Sequence, residues 1–453
     1  MEASTSARPQ QGEELDLRVD ALAYGGNGVA RSGGYVVFVR GAIPGDRVRA
    51  VVTKRKRAYA EALAVEVLES SPDRIAPVAH HPGAPWQVLP YERQLEVKAE
   101  QVAEALRRIG KLSGFELEPI VPAVEQWRYR NKLEYSFGTG DDGTLVCGFH
   151  EPGSWERIEH VEDCLLASER GNAVRRAVLE WCRARGLSAY DRRAQSGLLR
   201  NLVVREGRRT GELQVRLVTS DEDADLTGFA EAAGADSVVW SREPGIAETT
   251  AGGVDEVLAG VDSIEEELGG LRFRVSTRAF FQTNTEMAER LYRAAAEYAG
   301  LQGWERVFDL FCGIGTIGLS LSPRAGEVWG VEIVEDAIAD AIANARLNEI
   351  ANARFFAGDV RLALRELVTQ AGRPDVLVVD PPRAGLSQKV VRRVIEAAPK
   401  RIVYVSCNPT TLAGDLKSLR EEWGYELRRV RPLDMFPHTP HVESVSLLER
   451  SGS

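Results

Sequence analysis

The chain has 453 residues, a formal charge of −10 and a hydrophobic share of 44%, ordinary for a globular protein and too long for one core, so roughly two to four domains are expected. No uncharged apolar run is long enough to span a bilayer, and the polar stretch 1–14 lacks a signal-peptide core, so a cytoplasmic protein without a membrane partner is expected. The five cysteines (Cys147, Cys164, Cys182, Cys312, Cys407) form no CxxC pair and the six histidines no HExxH pattern, which argues against a disulfide framework or a zinc site.

Residues 1–12 read as a disordered tail. Residues 13–70 read as all-β. Leu15, Leu17 and Val19 alternate with Asp16, Arg18 and Asp20, the period of a half-buried strand. A glycine turn follows at Gly25-Gly26-Asn27-Gly28, then a strand at Tyr35–Val39, and the turn Ile43-Pro44-Gly45-Asp46 leads into a strand from Arg47. Short strands with Gly and Pro turns suggest a small barrel. Arg47, Arg49, Lys54, Arg55, Lys56 and Arg57 form a run without an acid, read as a loop after that strand. Such a cluster can bind phosphates on an acidic protein, because the attraction acts over a Debye length of ~8–10 Å.

The spacing of Leu95, Val102, Leu106 and Ile109 predicts a helix over 91–111, stopped by Gly110. Residues 71–273 form a central α+β unit, from which helix 91–111 can pack onto the following domain. Within it, Gly211–Val218 alternates as a strand, and Arg128-Tyr129-Arg130-Asn131-Lys132 is either a solvated strand edge or a nucleic-acid contact. From 274 to 453 strand and helix alternate as in a parallel sheet. Asn284 can cap a helix that Gly300 ends.

Three strand ends in this last domain carry chemistry. Asp309-Leu310-Phe311-Cys312-Gly313-Ile314-Gly315-Thr316-Ile317-Gly318 follows a strand and contains GxGxxG, which lets a backbone approach a ligand at a helix N-terminus. Glu332 ends the next strand, where a carboxylate can accept from both ribose hydroxyls. A nicotinamide dinucleotide and S-adenosylmethionine both fit these two features. The second carries no phosphate, and its amino group suits a carboxylate such as Asp309. Asp380-Pro381-Pro382-Arg383 also favours it, since the prolines hold Asp380 where the bound ligands would meet and a dehydrogenase gives no reason for that corner. Finally, Cys407 in Ser406-Cys407-Asn408-Pro409 follows the apolar run Arg401–Val405. A thiol at the carboxyl end of such a strand is placed to be a nucleophile, although most cysteines are inert packing residues.

With these motifs the chain resembles the RNA uracil-5 methyltransferases. Further matching stretches are Phe280-Phe281-Gln282-Thr283-Asn284, Gly330-Val331-Glu332, His441-Val442-Glu443, Tyr129-Arg130-Asn131-Lys132 and Arg200-Asn201-Leu202-Val203. Residues 13–70 resemble a TRAM domain, an OB-like RNA-binding barrel. The resemblance implies a Rossmann-like class I methyltransferase domain and S-adenosylmethionine held by Gln282, Phe311, Thr316, Glu332, Asp359 and Asp380. It implies Cys407 as nucleophile and Glu443 as general base, with Asn284 and Phe281 as secondary candidates that capping or packing also explains. It also implies an RNA partner, ribosomal RNA rather than tRNA by family habit, and a monomer is the default. The alternatives are a catalytically silent RNA-binding or RNA-folding protein and a nicotinamide oxidoreductase. One departure stands out. Many members hold an iron–sulfur cluster on four cysteines, but Val78–Trp86 here contains none and leaves Cys164 alone, so no cluster is expected.

Overall fold

The computed structural model describes residues 8–151, 153–246, 250 and 252–450. Of the expected tail, residues 1–7 lie outside the described residues. The rest of it is tied to the barrel, where Gly12 N–H donates to the Val52 carbonyl at 2.8 Å.

Strands Glu14–Leu22, Gly28–Ser32, Tyr35–Arg40, Arg47–Arg55 and Tyr59–Glu69 form a closed barrel. The first strand pairs antiparallel with both the second and the fourth, which closes it. Closure removes exposed edges and sends alternate side chains inward. Leu17, Val19, Ala30, Val37, Val39, Val48, Ala50 and Val52 fill the interior. The basic run is mostly on the strand Arg47–Arg55, not on a loop. Only Lys56 and Arg57 occupy the bend before Tyr59.

The central unit carries a seven-stranded sheet in the order 254–259, 237–242, 213–219, 199–206, 132–139, 145–150, 158–160. Helix Glu169–Ala184 buries Val174, Val178 and Leu179 in the same apolar cluster as Leu202, Val204 and Leu217 of that sheet. The basic-aromatic stretch 128–132 is partly drawn into the core and so is not a plain solvated strand edge. Tyr129 is fully buried with its hydroxyl donating to Pro437 O, and the Arg130 guanidinium lies over the Phe436 ring.

The third layer is an eight-stranded sheet in the order 353–357, 327–332, 306–310, 376–379, 401–406, 443–450, 425–433, 116–117. The first five strands run parallel, and 443–450 returns antiparallel beside 401–406. Apolar layers cover both faces. One is built from helices Thr285–Ala299, Thr316–Leu321 and Glu335–Leu347, the other from Val360–Ala371, Gln388–Ala397 and Pro409–Trp423. Asn284 caps the helix 285–299 and Gly300 ends it in a left-handed conformation.

The helix expected over 91–111 runs as an α-helix through Tyr91–Glu104 and a π turn through Ala105–Ile109. Val97 packs with Trp86 and Leu89 at the start of the central unit. Val102, Ala105 and Leu106 instead pack with Phe308, Leu310 and Leu377, and Glu116–Leu117 adds an edge strand to the third sheet. This segment is therefore continuous with the third layer.

Candidate active site at the carboxyl edge of the sheet

Parallel strands end their carboxyl tips on one edge, where an open α/β sheet forms its ligand crevice. Asp309 sits in the strand Arg306–Leu310 and is fully buried. Its Oδ2 accepts from Gly318 N–H at 2.8 Å, and its Oδ1 is buried without a partner. A Cβ on Gly318 would lie 2.8 Å from that Oδ2, so the helix can approach the carboxylate only as glycine. Loss of solvation pushes the Asp309 carboxyl up to about 7. Phe311 turns the chain with a φ of 62° and is half-buried.

Glu332 ends its strand with Oε2 3.3 Å from Gly313 N and Oε1 accepting from Ile333 and Val334 N–H. Thr316 opens the helix 316–321, with Oγ1 3.0 Å from the Tyr292 hydroxyl. Asp359 caps the helix Val360–Ala371, accepts from Arg361 N–H at 2.9 Å and is ion-paired with the Arg361 side chain. Gln282 is buried, and its carbonyl accepts from Asn131 Nδ2 at 2.9 Å. Asp380 follows the strand Val376–Val379, and burial pushes its carboxyl up to about 7. Phe281 is buried with its ring 6.2 Å from that of Phe273, and Asn284 also donates to Met435 O at 2.9 Å.

Cys407 leaves the strand Arg401–Ser406 and is half-buried, whereas the other four cysteines are buried. Ser406 pairs with Ser444 in the antiparallel ladder, so the next residues in register are Cys407 and Glu443. Glu443 is buried. Burial raises its carboxyl well above the usual range and Asp380 raises it further, while Arg383 opposes both. Burial also pushes the Cys407 thiol up to about 11, with Glu443 adding and Arg383 opposing. Cys407 and Glu443 therefore stand opposite each other in register, and both feel the charges of Asp380 and Arg383.

The segment before Glu443 is held from behind. Lys98 Nζ donates to Asp434 Oδ1 at 2.5 Å and to Phe436 O at 3.1 Å, and both charged side chains are fully buried. Gln94 accepts from His438 N–H at 2.9 Å, and the His438 ring stacks on Trp127 at 3.9 Å. Neither Lys98 nor Gln94 was legible as part of a site, since each reads as a polar position on an amphipathic helix.

The TRAM family matches residues 8–65, and the tRNA (uracil-5-)-methyltransferase family matches residues 257–451. An uncharacterized RNA methyltransferase of Bacteroides thetaiotaomicron is 41% identical over 94% of this chain and all of that protein. One of Halalkalibacterium halodurans is 39% identical over 96% of each. The chain belongs to the RNA uracil-5 methyltransferases. Among solved structures, the Pyrococcus abyssi tRNA (uracil-54, C5)-methyltransferase in complex with S-adenosyl-L-homocysteine is similar at a TM-score of 0.78 and 29% identity, covering 96% of this chain and 100% of that one.

The crevice suits S-adenosylmethionine, a cationic methyl donor. The orphaned Asp309 Oδ1 and the poorly solvated Asp380 are both relieved by a bound cation. The residues around Cys164 do not fit a four-cysteine cluster. His81 Nε2 lies 3.2 Å from Cys164 Sγ, and the Cys164 N–H donates to Asn172 Oδ1. Among the described residues, no group of three His, Cys, Asp or Glu side chains could hold a metal ion. Trp86 packs nearby with Ile43, Leu89 and Val97. Among the described residues, no helix is long and apolar enough to cross a membrane.

Three of the six cations in the barrel's basic run are paired. Arg47 pairs with Asp16 at 2.6 Å and Glu69 at 2.7 Å, Arg49 with Glu66 at 2.7 Å, and Lys54 with Glu61 at 3.7 Å. Among the described residues, Lys56 and Arg57 form no ion pair.

Proposed function

We propose that the enzyme methylates uridine C5 through a covalent adduct on Cys407, with Glu443 as the base. The observation that carries this is the juxtaposition of Cys407 and Glu443 in adjoining positions of two strands, at the mouth of the acidic crevice. Uracil C5 is a poor nucleophile. Addition of the Cys407 thiolate at C6 forms a C–S bond and converts the ring to an enolate. The bound cofactor supplies an electrophilic methyl group on a cationic sulfur. Once C5 has gained that methyl group, the Glu443 carboxylate removes the C5 proton. The C–S bond then breaks and its electron pair returns to sulfur. One hard substitution becomes several easier steps.

Gln282, Phe311, Thr316, Glu332, Asp359 and Asp380 line the cofactor's place in this reading, and Asp309 joins them as the deepest carboxylate. Because C5 and C6 are stacked inside any helix, the uridine must be flipped out or come from a loop. The test is methyl transfer to unmodified RNA. Cys407→Ala is expected to lose at least about 10³-fold. Glu443→Gln is expected to accumulate an RNA–protein adduct that survives denaturing electrophoresis. Undiminished transfer by Cys407→Ala sinks the nucleophile assignment.

Family habit associates a separate barrel with ribosomal RNA substrates. A specific observation favours tRNA: the likeness to a tRNA (uracil-54, C5)-methyltransferase covers 96% of this chain, too much to leave the barrel out. The barrel alone therefore does not separate the two. Mapping 5-methyluridine in both RNA pools of cells lacking the protein distinguishes them.

A further inference from the structure

Tyr24 belongs to the barrel, yet it ends at the active-site cysteine. It lies in the turn between strands Glu14–Leu22 and Gly28–Ser32, and its hydroxyl donates to the Cys407 carbonyl at 3.3 Å. The phenol is half-buried and feels the charges of Cys407, Arg383 and Glu443 together. It therefore stands on the same side of the crevice as the reacting groups.

The turn itself is wedged rather than free. Ala23 N–H donates to Asn27 O at 2.9 Å and Gly26 N–H to Ala23 O at 3.0 Å, which closes it. Gln101 Nε2 donates to Ala23 O at 3.2 Å from the helix that packs under the catalytic sheet. Gly26 has a φ of 90°, and a Cβ there would lie 2.9 Å from Pro440 and 3.1 Å from Trp86 Nε1. Pro440 is in the segment that delivers Glu443. The barrel turn thus touches the loops of both reacting residues, one through Tyr24 and the other through Gly26.

We propose that Tyr24 is a positioning residue for the methyl-transfer reaction, tying the RNA-binding barrel to the backbone of Cys407 and closing the uracil pocket from the barrel side. The inference rests on the Cys407 and Glu443 reading above. Its physical content is that the hydroxyl fixes the carbonyl of the residue whose thiol must meet C6, and a small misplacement of a reacting group is costly. RNA that seats on the barrel then finds the thiol already aimed.

The experiment measures single-turnover adduct formation in the full-length Glu443→Gln protein at saturating RNA, with and without Tyr24→Phe. RNA affinity and S-adenosylhomocysteine affinity are measured on the same proteins. Tyr24→Phe removes one neutral hydrogen bond and keeps the ring, so adduct formation should slow about three- to tenfold with both affinities held within about twofold. Tyr24→Ala should slow it further, and in the otherwise native enzyme both changes should appear in kcat rather than KM. Gly26→Ala, which pushes the turn off Pro440, should resemble Tyr24→Ala. An adduct rate unchanged in Tyr24→Phe, or a loss confined to RNA affinity, overturns the inference while leaving the Cys407 reading intact. No adduct in Glu443→Gln alone overturns that reading, and this inference with it.

Discussion

The barrel's basic run and the catalytic crevice carry opposite charges and have opposite electrostatic fates. In the run, acids on neighbouring strands meet Arg47, Arg49 and Lys54 one by one. In the crevice, Asp309, Asp380 and Glu443 crowd one edge, and all three carboxyls are driven upward by burial. A cluster of like charge in sequence can be quiet once folded, because strand pairing brings in partners from far along the chain. Carboxylates scattered through the sequence can instead converge and remain uncompensated, and that state calls for a ligand cation.

The largest effect is expected where a buried charge loses its partner. Lys98→Met leaves Asp434 buried and unpaired, so the fold should lose ~3–5 kcal/mol in urea unfolding. The segment leading to Glu443 should loosen with it, visible as faster amide exchange around Phe436 and His438. Loss below about 1 kcal/mol would put this pair on the same footing as the barrel's exposed ones.

Next comes Asp309. Its folded carboxyl, pushed up to about 7, is above its unfolded value, so protonation favours the fold. The stabilisation is fully present below the unfolded value near ~3.9 and is lost as pH rises through about 7. Thermal unfolding of Asp309→Asn across that window should therefore depend less on pH than the native protein does. S-adenosylhomocysteine affinity should fall about 10- to 100-fold in the same variant, the scale of one charge-assisted hydrogen bond. Equal pH slopes in the two proteins would contradict the buried, unpaired state of Asp309.

The smallest effects belong to the barrel. Arg47→Ala removes two exposed ion pairs and should leave the urea midpoint and RNA affinity nearly unchanged. Lys56→Ala with Arg57→Ala should instead weaken RNA binding and reduce its salt slope by about one per lost phosphate contact. If Arg47→Ala proves the more damaging to RNA binding, cross-strand neutralisation is not what governs this surface.

Much of the site was legible because it is local in sequence. The turn at Asp309–Gly318, the corner at Asp380-Pro381-Pro382 and Cys407 after Arg401–Val405 each declare a strand end within a few residues. Alternation and β-branched runs likewise revealed the barrel and the parallel sheet, since side-chain period is set by backbone geometry. Asn284 and Gly300 marked their helix by capping chemistry that needs no tertiary partner.

Contacts between distant segments were not legible. The apolar stripe of the helix at 91–109 pointed to packing on the following domain, but nothing local named Phe308 and Leu377 as its partners. Arg128–Lys132 has the composition of a surface, yet Tyr129 is buried against the segment that delivers Glu443. Lys98 finds Asp434, and Tyr24 finds Cys407, only when separate layers dock. Which residue types stand at each strand end is written locally in the chain, because turns, caps and strands obey short-range sterics. Which charges are neutralised, which carboxyls stay unpaired and which barrel residue reaches the cysteine emerge only on folding, because they depend on burial and on distances between segments hundreds of residues apart.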